Sequence, residues 1–74
     1  MNFSQGQTIT VKTPIFFKGE SKRLRQFKTG DRLWVVSNFV LHNQGVVKLA
    51  KMGQNSACGT SFLISDVEKS INIE

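Results

Sequence analysis

A five-residue run, Arg32-Leu33-Trp34-Val35-Val36, restricts the folds open to this chain more than any other stretch. It follows Phe27-Lys28-Thr29-Gly30-Asp31, a turn-forming sequence whose Gly-Asp step marks the start of a strand. Trp and Val favour a pleated, half-buried surface. Side chains alternate along a strand, so Leu33 and Val35 share one face while Trp34 and Val36 share the other. A strand that is apolar on both faces is central in its sheet, or lies where a small barrel curls over it. Ser37-Asn38 is expected to interrupt the run and Phe39-Val40-Leu41 to resume it. His42-Asn43-Gln44-Gly45 then turns the chain back into Val46-Val47-Lys48-Leu49-Ala50-Lys51-Met52.

Upstream, Thr8 to Phe17 alternates with period two. Ile9, Val11, Ile15 and Phe17 lie on one face, with Thr13 between them, and Thr8, Thr10 and Lys12 on the other. Pro14 cannot donate to a ladder, so this strand lies at an edge or breaks there. Phe16 falls on the outward face beside Lys12 and Lys18, where it can join a small cluster or offer a stacking surface. Lys18-Gly19-Glu20-Ser21 reads as a turn, and Lys22 to Lys28 as an irregular or hairpin segment anchored by Leu24 and Phe27. Downstream, Gly53 to Gly59 is small and polar, hence a loop. Thr60-Ser61-Phe62-Leu63-Ile64 is a short strand. Ser65-Asp66-Val67-Glu68 matches a capping box, which predicts one helical turn starting at Ser65. Ser70-Ile71-Asn72-Ile73 returns to alternation. Leu33, Val35, Val47, Leu49, Phe62 and Ile64 are expected to form the centre of one core.

The layout is a single all-β domain over residues 1–74 with about five short strands and one helical turn before the last. Lys28-Thr29-Gly30-Asp31 leads into a Trp-bearing strand, Gly45-Val46-Val47-Lys48-Leu49 follows, and a helical turn precedes the final strand. In this order the chain resembles the small SH3-like barrels. An OB-like barrel is the alternative, although no segment matches the aromatic-rich Lys-Gly-Phe-Gly-Phe pattern of the cold-shock proteins. The SH3-like architecture carries many unrelated functions, so the resemblance implies a fold and no activity.

A chain of 74 residues buries only about 60% of its unfolded surface. One cysteine, Cys58, excludes an internal disulfide, and one histidine, His42, cannot complete a zinc site with it. The core holds alone or the chain associates with itself, since small β domains also have strand edges to cover. Met1 to Gln7 is polar, so no leader is expected, and no apolar run reaches membrane-spanning length. A lone thiol fits a reducing compartment, and the expected location is cytoplasmic.

The net charge is +5, and it is localised: Lys18 to Arg32 holds six basic and two acidic residues. Lys18, Lys22, Arg23, Arg25, Lys28 and Arg32 are therefore the candidate nucleic-acid-binding residues. Arginine offers a planar fork of donors to phosphate, lysine a point charge, and displaced counterions drive the binding. Phe16, Phe27 or Trp34 beside them could stack on bases. The competing reading of such a charge run is a solvated face. Peptide-binding SH3 domains use Tyr and Trp platforms with acidic loops, and this chain has no Tyr and a basic loop, so Pro-rich peptides are excluded as ligands.

Trp34 is read first as a core or interface residue whose indole N–H needs a partner, and His42 as an exposed hairpin residue. Cys58 has no charged neighbour in sequence to activate it. The scattered carboxylates and the missing Gly-Lys-Ser/Thr motif support no catalytic set, so neither an enzyme nor a cofactor is expected. The expected function is accessory or regulatory nucleic-acid binding, to DNA or RNA, of the sort phages and mobile elements encode. The rival is a protein-interaction module or small inhibitor docking on an acidic protein surface, with Trp34, Phe39 and Leu41 as its apolar anchor.

Overall fold

The computed structural model describes residues 3–19, 23–55 and 59–73. Lys22 and Cys58 lie outside the described residues. The elements in order are β1 (Thr8–Val11), β2 (Ile15–Lys18), β3 (Leu24–Phe27), β4 (Arg32–Leu41), β5 (Gln44–Lys51), β6 (Thr60–Leu63), the helical turn α1 (Ile64–Val67) and β7 (Ile71–Ile73). The fold is all-β, with seven strands rather than about five. They form an antiparallel five-stranded sheet ordered β6-β5-β4-β1-β7 and a separate two-stranded hairpin, β2-β3. Among the described residues no ladder joins β6 to β7, so the sheet is not closed into a barrel by hydrogen bonds.

The expected Thr8–Phe17 strand divides because Pro14 lacks an amide donor: β1 stays in the large sheet, and β2 leaves it to pair with β3. β4 has β1 on one side and β5 on the other, which is the central position its two apolar faces demand. Ile9, Leu33, Val35, Val47 and Leu49 turn inward and are fully buried, with Val11, Val67 and Ile71 beside them. Phe62 and Ile64 are only half-buried and pack at the margin of this core. Trp34, Val46 and Ala50 lie on the sheet's other face, with Trp34 opposite Thr8 and Ala50. Trp34 is half-buried, and its indole N–H donates to the Gln54 carbonyl at 3.2 Å.

Ser37-Asn38 does not interrupt β4. The register with β5 shifts between Val35 and Ser37, leaving Val36 as the extra residue of a β-bulge. A bulge bends and twists a strand without ending it, so one strand of ten residues replaces the two expected. The reversal into β5 is also tighter than expected. His42 and Asn43 alone form the loop, with φ of 51° and 64°, while Leu41 pairs with Gln44. Two successive positive φ values are the mark of a type I′ turn, whose twist matches that of the strands it joins.

The helical turn is present, but the capping box is not. It begins at Ile64, the cap position is held by extended Leu63, and no side chain caps it. Leucine has no oxygen to offer. The turn is held instead by its Glu68 N–H to Ile64 carbonyl bond at 2.9 Å and by Val67, buried in the core.

The β2-β3 hairpin lies over the inner face of the large sheet. Phe17 and Phe27 of the hairpin meet Phe62 of β6, with ring centroids 4.7 to 5.9 Å apart. Leu24 is not an anchor. Residues three apart on a strand point to opposite faces, so only one of Leu24 and Phe27 can turn inward. Phe27 does so and is buried, while Leu24 is 70% exposed.

Candidate nucleic-acid interface

The β2-β3 register sorts the basic segment onto two faces. Ile15 pairs with Phe27 and Phe17 with Arg25, on the side turned toward the core. Phe16 pairs with Gln26 and Lys18 with Leu24, on the side turned away from it. Beyond these pairs the Gly19 N–H donates to the Arg23 carbonyl at 3.0 Å. Arg23 and Arg25, two residues apart, thus project from one face of the hairpin tip, and Lys18 from the other. Gly19 makes room for Arg25: a Cβ there would sit 2.9 Å from Arg25 Nε. Phe16 is 62% exposed, and with Leu24 it forms an apolar spot beside Lys18.

Lys28 and Arg32 stand at the other end of β3, roughly 13 Å from the tip at the usual rise of a strand. Between them runs a tight turn. The Lys28 N–H donates to Asp31 Oδ2 at 2.9 Å, and the Asp31 N–H donates back to the Lys28 carbonyl at 3.0 Å. Gly30, at φ 93°, supplies the positive dihedral that the third position of a type II turn needs. Its N–H donates to the Val11 carbonyl at 2.8 Å, which ties the turn to β1. Arg32 opens β4 opposite Thr10. The six candidates therefore do not form one uninterrupted face. Lys18, Arg23 and Arg25 gather at the tip, Lys28 and Arg32 at the base, and Lys22 lies outside the described residues.

Tertiary structure adds two cations that sequence order separates from the segment. Lys51 Nζ lies 3.7 Å from Asp31 Oδ2, and the Lys12 carbonyl accepts a hydrogen bond from Thr29 Oγ1 at 3.4 Å. Lys51 thus joins the base of the hairpin as the ion-pair partner of Asp31, and the Lys12 backbone is tied to the same turn. The pairing of β4 with β5 brings Lys51 there, and no local pattern signals it. At the tip, Lys18, Arg23 and Arg25 have no ion pair with a carboxylate among the described residues, and neither does Lys28.

The remaining candidates lie elsewhere. Trp34 is on the face of the large sheet that the hairpin does not cover, so it does not adjoin Phe16, and buried Phe27 is unavailable for stacking. His42 is exposed in the β4-β5 turn, as expected. Among the described residues no three His, Cys, Asp or Glu side chains converge as a metal site, and no helix is long and apolar enough to cross a membrane. Comparison with protein-family models, with curated proteins and with solved structures finds no match to the chain.

Proposed function

We propose that this chain is a small nucleic-acid-binding accessory protein with an SH3-like arrangement of strands, and that the β2-β3 hairpin is its binding element. The strand order supports the SH3-like reading. A long excursion carrying a hairpin separates β1 from β4, a three-strand meander follows, and a helical turn precedes the last strand. One observation carries the functional reading: the hairpin tip bears an exposed aromatic ring, Phe16, beside Lys18 on one face, and Arg23 and Arg25 on the other. Arginine and lysine take phosphates, and a bare ring accepts an unpaired base whatever its identity. Lys28 and Arg32 extend the phosphate track along the hairpin. No cofactor and no catalytic step belong to this reading, and its lone cysteine suits the cytoplasm.

Titration of fluorescently labelled single- and double-stranded DNA and RNA, near 50 mM salt, tests it. Micromolar binding is expected, stronger for single strands because only they offer unpaired bases to Phe16. Arg23→Ala with Arg25→Ala should weaken binding equally across sequences and make the plot of log affinity against log salt shallower by roughly 1.5 units. Phe16→Ala should cost about 1–3 kcal/mol with single strands and little with duplex. Absence of binding to every nucleic acid, or wild-type affinity in the double arginine variant, reduces the charge to a solvated face. The rival reading, docking on an acidic protein, would then replace it.

A further inference from the structure

The longest strand of the protein is unpaired along half of one side. β1 covers β4 only at Arg32, Leu33 and Trp34. Two further bonds reach Val35, from the Gly6 N–H to its carbonyl at 2.7 Å and from its own N–H to the Gln7 carbonyl at 2.9 Å. Past Val35, β4 runs on to Leu41 with β5 on one side and no strand among the described residues on the other.

The turn determines which backbone groups that open side presents. Leu41 and Gln44 close a two-residue loop, so this pair exchanges both of its hydrogen bonds, and Phe39 with Val46 does the same two residues further on. Asn38 and Val40 occupy the alternate pairs, and their N–H and C=O groups point away from β5. On this stretch the Asn38 side chain donates to the Phe3 carbonyl, and the apolar side chains beyond it are bare: Phe39 is 44% exposed, Val40 73% and Leu41 52%. Soluble β proteins protect such edges with lysine, proline or inward charge. From Leu33 to Val47 this chain has no Pro, Lys, Arg, Asp or Glu.

We propose that this edge pairs with the same edge of a second copy of the chain, antiparallel, about a two-fold axis through Phe39. In that register Asn38 faces the partner's Val40 and Val40 faces the partner's Asn38, each pair exchanging two backbone bonds. Phe39 meets its own counterpart across the axis, with Cα atoms about 4.5 Å apart, close enough for the rings to pack. The edge is thus complementary to itself, as a two-fold interface requires. Charge also favours a second copy here. In a chain of net charge +5, self-association through the hairpin would set arginine against arginine, whereas this edge brings no charges together. A strand pair this short buries less than the about 1,200 Å² of a standard interface, so the dimer is weak and reversible.

Sedimentation equilibrium of the full chain from about 10 μM to 1 mM, the range for a sub-standard interface, should show a monomer–dimer equilibrium. Val40→Pro removes only an outward-pointing donor and puts a ring on the open edge, so it should keep the circular dichroism of the parent and weaken dimerisation at least about tenfold. Phe39→Lys is the second variant, should Val40→Pro fail to fold; it places like charges directly opposite each other and should have the same effect. Register is read by cross-linking in a Cys58→Ser background. Phe39→Cys should oxidise to a disulfide-linked dimer, while Leu41→Cys, which faces position 37 of the other chain, should not. A monomer at every concentration overturns the proposal, and is also the result expected if the edge receives a strand of another protein. A dimer that a folded edge variant leaves unchanged, or one cross-linked equally well through Leu41→Cys, overturns it too.

Discussion

Leu33 and Gly30 lie three residues apart and constrain the protein in different ways. Leu33 has no exposed surface, and it sits between Ile9 and the β5 strand at the middle of the core. Leu33→Ala should cost roughly 2–5 kcal/mol, a large share of the stability of so small a domain, and urea denaturation would measure it. A midpoint unchanged from the parent would contradict the burial described here. Gly30 touches nothing through its missing Cβ, so only its φ of 93° restricts substitution. Gly30→Ala should therefore cost about 1–2 kcal/mol through backbone strain alone. The same denaturation series should rank it below Leu33→Ala.

At the scale of elements, the helical turn separates a sequence signature from the interaction it usually signals. Ser65-Asp66-Val67-Glu68 has the spacing of a capping box, yet α1 starts one residue before Ser65 and has no side-chain cap. Ser65 is exposed, so Ser65→Ala should change stability by less than about 0.5 kcal/mol, against about 1 kcal/mol for a true cap. Thermal melting decides between these values. β4 makes the complementary point. Its polar Ser37-Asn38 step reads as a break in sequence, whereas in the folded chain the bulge at Val36 absorbs the irregularity and the ladder continues to Leu41. That continuation creates the open edge.

For the whole molecule, the joint between the two sheets is the aromatic trio. Phe17 and Phe62 meet edge to face at 5.5 Å across the gap between the hairpin and β6. A double-mutant cycle with Phe17→Ala and Phe62→Ala should give a coupling energy of about 0.5–1.5 kcal/mol. Strict additivity would mean that the hairpin is not held against the sheet by these rings. The joint also matters to the proposed function, because it sets how firmly the basic tip is presented.

Much of this architecture is legible in the sequence. Alternation in Ile9 and Val11, Leu33 and Val35, Val47 and Leu49 determines which side chains turn inward, since side-chain direction in a strand depends only on the local backbone. The Lys28–Asp31 turn, the helical turn before β7 and the clustering of positive charge are local in the same sense. What the tertiary structure decided is which faces find partners. Leu24 and Phe27 are equal candidates in sequence, and the choice falls to Phe27 because Phe62, far along the chain, waits on one side of the hairpin only. The basic residues divide into a tip and a base because β3 is extended, and Lys51 joins them because β5 returns beside β4. The edge at Val40 is open because β1 ends its pairing at the other end of β4. Each of these outcomes depends on contacts between segments distant in sequence, and no local pattern encodes them.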